Sequence, residues 1–408
     1  MKKEQIMRVL NDTAYVHTSG TEEELRAANY LLDRCAEMGV SAHLEAFPVP
    51  MGRVTKVSCT ADGEEVVCTG YALCGDAAVE APFYYLPSTD PVSMADVKGK
   101  IVMVDTGMTH FLFQDLYEKG AVGFITYNGS VFLPDNDIDI KELRPVVSCG
   151  KKLPGVNVHA RTAAKLVAMA PKTVRIEIAN EEWDGESHNV VAEIPGEKDE
   201  YIVLTAHYDT VPLSVGSYDN MTGCVALLGI MEALKDRKLT YGLRFVFCGS
   251  EERGLLGSKA YVRDHKDQLS AFALNINFDM VGTIMGRFIA CVSAEERLNH
   301  FIEYFAALEG FGIKVRTGVY SSDSTPFADA GVPALSFARV TPPSQSTIHN
   351  RYDTIAVLSA DQLARDIDFA AAFTACLASA KVFPVGRAMP DKVKNDLDEY
   401  LLRKRKPD

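Results

Sequence analysis

Side chains of the kinds that bind metal ions recur at five places in the second half of the chain. Imidazole nitrogens and carboxylate oxygens are both common ligands of zinc, so the residue types alone point to metal chemistry. Each place is a weak signal by itself, because a lone histidine or a pair of acidic residues is usually a surface feature. The five places are His207 with Asp209, Asp219, Glu251 with Glu252, Asp279, and His349.

The elements expected around these residues bring them together. Residues 201–206, 243–248 and 273–278 are short apolar runs, as expected for strands covered on both faces. Helical patterns between them predict a mostly parallel sheet. Ligands bind beyond the carboxyl ends of the strands in such sheets, and metal-binding residues follow each of these three runs. The sequence therefore predicts one site at one edge of the sheet.

The residue types also indicate how such a site would work. A carboxylate has two oxygens and can bridge two metal ions, and two ions ~3.5–4 Å apart can polarise a carbonyl and activate a water. A further carboxylate must carry the proton from that water to the leaving amine. The neighbours Glu251 and Glu252 can divide these tasks, because adjacent side chains point in different directions. Asp209 lies two residues after His207 and can accept its second ring N–H.

The composition is that of a globular protein and excludes several other classes. Of the 408 residues, 47% are hydrophobic and 24% are charged, which rules out disorder over most of the chain. The net charge of −13 argues against nucleic-acid binding, which needs a basic face. No apolar run reaches the ~20 residues of a membrane span, and the first residues lack the apolar core of a signal peptide. With nine cysteines and no Cys-x-x-Cys pair, we expect reduced thiols and a cytoplasmic location.

Six stretches of the chain resemble the co-catalytic zinc peptidase family that includes bacterial leucyl aminopeptidases, glutamate carboxypeptidase II and carboxypeptidase Q. The resemblance implies a three-layer α/β/α fold with a mostly parallel central sheet. The joint set of motifs is specific, although each motif alone is short. The stretches are residues 207–209, 216–223, 251–258, 279–282 and 322–327, and His349 with Asp353 and Thr354.

The resemblance implies two zinc ions, each with three protein ligands, that share one carboxylate. Cobalt and manganese accept similar ligands and are the expected substitutes. The peptide bond between residues 219 and 220 is expected to be cis. One ion is implied to bind His207, Asp219 and Asp279, and the other to bind Asp219, Glu252 and His349.

The same resemblance implies roles for three further residues. Glu251 is implied as the general base, and Asp209 as the carboxylate that orients His207. Tyr320 is the candidate for supporting the oxyanion, although its offset from Ser322 differs by one residue from the family pattern.

An amphipathic helix is predicted near the start of the chain. Thr21 and Glu24 have the spacing of a capping box, in which the two side chains bond each other's backbone N–H groups. Leu31 and Cys35 belong to an apolar stripe, and Gly39 supplies the expected end of the helix.

The domain organisation is expected to be discontinuous. Residues 97–104 and 119–125 resemble the protease-associated domain that is inserted in several members of the family. We therefore expect a peptidase domain over 1–50 and 186–385, and a β-rich protease-associated insert over 51–185. Residues 386–408 are charged and are expected to form a solvated tail. The alternative is a helix that docks a partner through Leu397, Leu401 and Leu402.

The expected function is that of a zinc-dependent exopeptidase. An aminopeptidase that removes N-terminal residues from peptides, with Glu251 as general base, is the leading hypothesis. A carboxypeptidase or dipeptidase of the same fold is the alternative. A non-catalytic, receptor-like protein is disfavoured, because such a protein is free to lose ligands and the set here is complete. The expected partner is a peptide, with no nucleic acid or membrane, and a homo-oligomer is left open.

Overall fold

The chain divides into two compact units, one of which is inserted in the other. The computed structural model describes residues 1–132, 138–342 and 345–405. The larger unit comprises Met1–Val49 and Glu186–Asp408, and the inserted unit comprises Pro50–Gly185.

The helices and strands are numbered along the chain. The helices are α1 (Lys3–Asp12), α2 (Glu22–Glu37), α3 (His110–Glu118), α4 (Pro145–Ser148), α5 (Ala160–Met169), α6 (Thr222–Leu234), α7 (Leu256–Asp264), α8 (Glu296–Leu308), α9 (Ser324–Asp329), α10 (Ala360–Ala378) and α11 (Asp391–Tyr400). The strands are β1 (Ala42–Ala61), β2 (Glu64–Glu65), β3 (Thr69–Ala72), β4 (Ala77–Leu86), β5 (Ile101–Val104), β6 (Gly123–Asn128), β7 (Lys141–Glu142), β8 (Gly155–His159), β9 (Thr173–Ile194), β10 (Lys198–His207), β11 (Tyr241–Cys248), β12 (Phe272–Phe278), β13 (Arg287–Ser293), β14 (Lys314–Thr317) and β15 (Ala334–Val340).

The sheet of the larger unit has the strand order β14-β13-β15-β12-β10-β11, followed by the last residues of β9. Strand β10 is parallel to both of its neighbours, β11 and β12, and β12 is parallel to β15. Only the pairs β13–β15 and β9–β11 are antiparallel among the described strands of this sheet. The predicted mostly parallel sheet is therefore confirmed.

Helices cover both faces of this sheet because its strands are apolar on both sides. Ile202, Leu204 and Ala206 of β10 point to the face on which α1, α2, α6 and α10 pack. Val203 points to the opposite face and packs with Tyr261 of α7. Each fully buried side chain of this kind stabilises the fold by roughly 1.5–3 kcal/mol. The layers are therefore helix, sheet and helix, as the resemblance implies.

Helix α11 corrects the expectation of a solvated tail. Val393 and Leu397 lie one turn apart on α11 and are buried against Ala328 of α9 and Ala334 of β15. The helix therefore docks onto its own unit, because two apolar side chains at this spacing form a stripe. Residues 406–408 of the expected tail lie outside the described residues.

The inserted unit has its own sheet and its own apolar core. Strands β4, β5, β6 and β8 are parallel neighbours, while β3 pairs antiparallel with β8 and β9 pairs antiparallel with β4. Phe113 and Phe124 are fully buried in this core. The assignment of this unit as a protease-associated domain stays a prediction. Across the described parts of both units, no helix is long and apolar enough to cross a membrane.

Candidate metal centre

The strand ends of the larger unit carry the predicted site residues. His207 is the last residue of β10, and Asp279 directly follows β12. Glu251 and Glu252 come shortly after β11. The strands end level with one another, because His207 pairs with Cys248 and Thr205 pairs with Asn277. Three separate stretches of sequence therefore meet at one edge of the sheet.

Asp219 lies in the turn Ser217–Met221, between β10 and α6. The peptide bond between Asp219 and Asn220 is cis, as the resemblance implies. The amide of Asn220 donates to the Phe278 carbonyl (2.8 Å) and accepts from the Met280 N–H (3.0 Å). These two hydrogen bonds tie the turn to the residues on either side of Asp279.

Five side chains form two donor groups that share Asp219. In the first group, His207 Nε2 lies 3.2 Å from Asp219 Oδ1 and 3.9 Å from Asp279 Oδ1. In the second, His349 Nε2 lies 3.1 Å from Asp219 Oδ2 and 3.2 Å from Glu252 Oε2. Asp219 thus presents one carboxylate oxygen to each group. Each group can hold a metal ion.

The geometry and the unmet hydrogen-bonding capacity of the donors fit a metal ion. Donors about 2.0–2.1 Å from a tetrahedral zinc lie roughly 3.3 Å from one another. Three of the four distances above lie close to this value, and the distance from His207 to Asp279 is longer at 3.9 Å. Asp279 Oδ1 is buried and has no hydrogen-bond partner among the described residues. A buried carboxylate oxygen without a partner is costly, and a cation removes that cost.

The chain matches a known family over the segment that holds both donor groups. The sequence model of peptidase family M28 matches residues 189–374. The match spans less than half of the chain, and over this segment the chain is similar to peptidase family M28. The match supports the resemblance and the prediction of an enzyme that hydrolyses peptide bonds.

Several relatives of this chain are aminopeptidases by name. Aminopeptidase YwaD of Bacillus subtilis (strain 168) is 25% identical over 402 residues, which cover 93% of this chain and 86% of YwaD. Leucine aminopeptidase 2 of Trichophyton rubrum is 31% identical over 193 residues, which cover 46% of this chain and 38% of the relative. The second match thus spans well under half the length of that relative.

Solved structures confirm the fold class of this chain. The structure of BSAP, described as a zinc aminopeptidase from Bacillus subtilis, has a TM-score of 0.78 and 23% identity, and the match covers 94% of this chain and 98% of that one. An aminopeptidase from Aneurinibacillus sp. strain AM-1 has a TM-score of 0.76 and 22% identity, covering 94% of this chain and 96% of that one.

The two donor groups differ in exposure. The side chains of His207, Asp219 and Asp279 are each no more than 6% exposed. The imidazole of His349 is 51% exposed, and its backbone is left-handed with φ +60°. The first group is therefore enclosed, while the second opens to solvent on the His349 side.

The titration of these groups reflects crowded negative charge. Burial and the neighbouring Asp219 raise the pKa of Asp279 to about 7. Burial alone would lower the pKa of His349, but hydrogen bonds to Asp219 and Glu252 raise it to about 11. Burial also opposes protonation of His207, yet nearby carboxylates, led by Glu251, raise its pKa well above the usual range. The site therefore attracts positive charge, which protons or metal ions can supply.

Asp209 contacts both His207 and the loop after β11. Its carboxylate accepts the N–H of Glu251 (2.8 Å) and the N–H of Glu252 (3.2 Å). His207 Nδ1 lies 3.2 Å from the Asp209 carbonyl oxygen and 3.5 Å from its carboxylate. The carbonyl therefore makes the closer contact to the ring, where the sequence analysis expected the carboxylate. If Nδ1–H donates to this carbonyl, Nε2 carries no proton and can act as a donor atom of the first group.

Tyr320 and Asp323 lie close to these donor groups. Burial raises the pKa of Tyr320 well above its usual range, and the nearby charges of Asp279 and Asp219 add to the rise. Burial also raises the pKa of Asp323 to about 6, against the opposing charge of His207. Tyr320 is thus in electrostatic reach of both donor groups, and its supporting role stays a prediction.

Two functional candidates received no role from the sequence. Asp353 accepts the backbone N–H groups of Tyr218 (2.7 Å) and Asp219 (3.0 Å). Glu24 is buried beside the loop after β11, although its spacing from Thr21 predicted only a capping box. Asp353 belongs to one of the stretches that carry the family resemblance, so the sequence could have indicated a role for it. Nothing in the sequence near Glu24 indicates its distant partners.

Proposed function

We propose that this chain is a zinc-dependent aminopeptidase of the M28 type with two metal ions in its site. The observation that carries the proposal is the pair of donor groups that share Asp219, with the buried carboxyl of Glu251 close enough to His207 to act on its charge. The names of YwaD and leucine aminopeptidase 2 support the choice of an aminopeptidase within the family. Peptides are the proposed substrates.

The proposed ligands follow the two donor groups, with Asp219 as the shared carboxylate. Metal ions bound there would polarise the scissile carbonyl and make a water a stronger nucleophile at neutral pH. Nitrogen and oxygen donors suit zinc, and cobalt and manganese accept the same set. The first ion is proposed to bind His207, Asp219 and Asp279, and the second Asp219, Glu252 and His349.

Glu251 is proposed to move the proton during hydrolysis. Burial raises the pKa of its carboxyl well above the usual range, and the charge of Glu252 contributes to the rise. A carboxylate with a raised pKa accepts a proton from the attacking water more readily than a solvated one. The same carboxyl can then deliver the proton to the leaving amine, so that one residue serves both steps.

Two further residues are proposed to assist Glu251. Asp209 holds the N–H groups of Glu251 and Glu252, and so fixes the backbone from which the base projects. Tyr320 is proposed to donate its hydroxyl to the oxyanion that forms on the scissile carbonyl. Its raised pKa keeps the hydroxyl protonated at neutral pH, as a hydrogen-bond donor must be.

The test compares hydrolysis of leucine p-nitroanilide with hydrolysis of its N-acetylated form, before and after chelation. We expect the zinc-loaded chain to cleave only the substrate with a free amine, and chelation to abolish cleavage. Glu251→Gln should lower kcat by about 10²–10⁴-fold while the bound zinc, measured by elemental analysis, stays at two per chain. Glu303→Gln, on the exposed side of α8, is the matched control. Activity that survives both chelation and Glu251→Gln would refute the proposal.

A further inference from the structure

Glu24 is a buried carboxylate that the M28 match does not cover. It lies in the first turn of α2, and its side chain is expected to cap that helix. The structure shows half of the capping box: Thr21 Oγ1 accepts the N–H of Glu24 at 3.2 Å. The Glu24 carboxylate instead accepts the N–H of Gly20 (2.6 Å), and its other oxygen faces away from the helix.

That second oxygen, Oε1, reaches the loop after β11. It accepts the backbone N–H of Ser250 at 3.1 Å and the hydroxyl of Ser187 at 2.8 Å. Ser250 has a left-handed backbone, with φ +55°, which disfavours any residue other than glycine. The hydrogen bond from its N–H to Glu24 helps to hold this conformation. Ser250 directly precedes Glu251, so its backbone sets the direction in which that side chain leaves the loop.

Gly249 shows how closely the carboxylate approaches the loop. A Cβ on Gly249 would lie 2.5 Å from the carbonyl oxygen of His188 and 3.0 Å from Glu24 Oε1. The contact therefore leaves no room for a side chain at the last position before Ser250.

Glu24 and Asp209 together hold three consecutive backbone N–H groups. Glu24 takes the N–H of Ser250, and Asp209 takes those of Glu251 and Glu252. The segment before α2 also contacts the strand end that carries Asp209, because His17 and Thr210 exchange two hydrogen bonds (3.1 and 3.2 Å). One N-terminal segment thus supports both sides of the loop.

We propose that Glu24 is a positioning residue that fixes the direction of Glu251, and this inference rests on the proposed function. Glu24 acts through the backbone of Ser250 and does not touch substrate. Catalytic groups must be held in place closely, since a misplacement of about 1 Å can cost about 10²-fold in rate. Loss of Glu24 should therefore lower kcat without removing the metal ions.

The experiment compares Glu24→Ala and Glu24→Gln with two controls in the zinc-loaded, full-length chain. Ser187→Ala removes one hydrogen bond from the same carboxylate but leaves the contact with Ser250. Glu23→Gln changes an exposed neighbour on the same helix. The measurements are kcat, KM, bound zinc, and hydrogen–deuterium exchange of the peptide that contains residues 249–252.

We expect Glu24→Ala to lower kcat by about 10²-fold, with KM and bound zinc unchanged. Exchange in the 249–252 peptide should rise in the same variant. Glu24→Gln keeps one oxygen for the Ser250 N–H, so we expect its kcat to fall by only about tenfold. If Glu24→Ala does not fold, the kcat and exchange of Glu24→Gln provide the test. Both controls should stay within about twofold of the unaltered chain.

Two results would overturn the inference alone. One is a kcat in both Glu24 variants that matches the unaltered chain, with unchanged exchange in the 249–252 peptide. The other is an equal loss of kcat in Ser187→Ala, which would mean that any hydrogen bond in this cluster matters equally. Absence of hydrolysis by the unaltered zinc-loaded chain is a different result, because it overturns the proposed function together with the inference.

Discussion

The carboxylate of Asp353 accepts the backbone N–H of Asp219 at 3.0 Å. The same carboxylate accepts the N–H of Tyr218 at 2.7 Å, so both amides before the shared ligand are held by one side chain. Asp353 lies four residues after His349, in the same loop. The loop that supplies one candidate ligand therefore also fixes the backbone of another, and the two donor groups are built as a unit.

We predict that Asp353→Ala weakens zinc binding by about 10–100-fold, the usual cost of losing a residue that orients a ligand. Both amides would lose their acceptor inside the protein, and Asp219 would lose its fixed direction. Zinc affinity can be measured by competition with a chromogenic chelator. Asp368→Ala, on an exposed position of α10, is the control and should leave the affinity unchanged. Unchanged affinity in Asp353→Ala would contradict the prediction.

Because Asp219 belongs to both donor groups, its substitution should remove more bound zinc than substitution of a ligand from one group. His349→Ala removes a donor from the second group only, so we expect one bound zinc per chain to remain. Asp219→Ala removes an oxygen from both groups and should leave less than one zinc per chain. Elemental analysis after gel filtration measures both. Loss of both ions from His349→Ala would show that the enclosed group cannot hold metal alone.

The sequence predicts the strand ends well and the long-range contacts poorly. His207 and Asp279 follow buried apolar strands, and the rule that ligands bind at carboxyl ends of parallel strands suffices to bring them together. Glu24 could not be interpreted correctly, because its spacing from Thr21 fits a local cap while its partners lie more than 160 residues away. Asp209 shows the same limit, since its carboxylate is taken by backbone N–H groups that no side-chain pattern reveals.

The prediction of a solvated C-terminal tail was wrong for a related reason. The charged residues around Leu397 favour a solvated segment, and the sequence offers a docking helix only as the alternative. In the structure Val393 and Leu397 of α11 are buried on the larger unit, and Arg403 pairs with Asp329. The apolar stripe of this short helix is present in the sequence, but the surface on which it packs is not. Its partner surface, Ala328 and Ala334, is also formed by small residues that attract no attention in the sequence.

Removal of the metal ions should make stability depend strongly on pH. The pKa values of Asp279 and Asp353 are both raised to about 7, chiefly by burial, so the folded state binds their protons more tightly than the unfolded state. Raising the pH from 5.5 to 8 then lowers the free energy of unfolding. The raised pKa of His349 acts in the same direction, because stability from its proton is lost as the pH approaches about 11.

We therefore expect chelated protein to unfold more easily in urea at pH 8 than at pH 5.5, by at least about 1 kcal/mol, since one pKa unit corresponds to about 1.4 kcal/mol. Zinc should reverse this trend, because ligands bind it in their deprotonated forms. The stabilisation by zinc should thus be larger at pH 8 than at pH 5.5. A chelated protein whose stability rises between these two pH values would contradict the prediction.

A buried ion pair supports the loop that follows Asp279. Arg339 forms a two-pronged contact with Asp366 of α10, with N–O distances of 2.8 and 2.5 Å. Asp366 also accepts the N–H of Gly282 (3.0 Å), and Arg339 donates to the carbonyl of Gly286 (2.9 Å). We expect Asp366→Ala to lower the free energy of unfolding by about 3–5 kcal/mol, because it leaves the charge of Arg339 buried without its partner. Urea unfolding measures the loss.

A double variant can separate the effect of the Arg339–Asp366 pair on stability from its effect on the geometry of the loop after Asp279. Arg339→Met with Asp366→Leu removes both charges and keeps apolar volume, a change that is often neutral for stability. The unfolding free energy should then recover, while kcat/KM should fall below that of the unaltered chain in both variants, because the backbone groups of Gly282 and Gly286 lack side-chain partners. Asp368→Ala on the same helix is the control for both measurements. Full activity in the double variant would show that the ion pair serves stability only and does not position the loop.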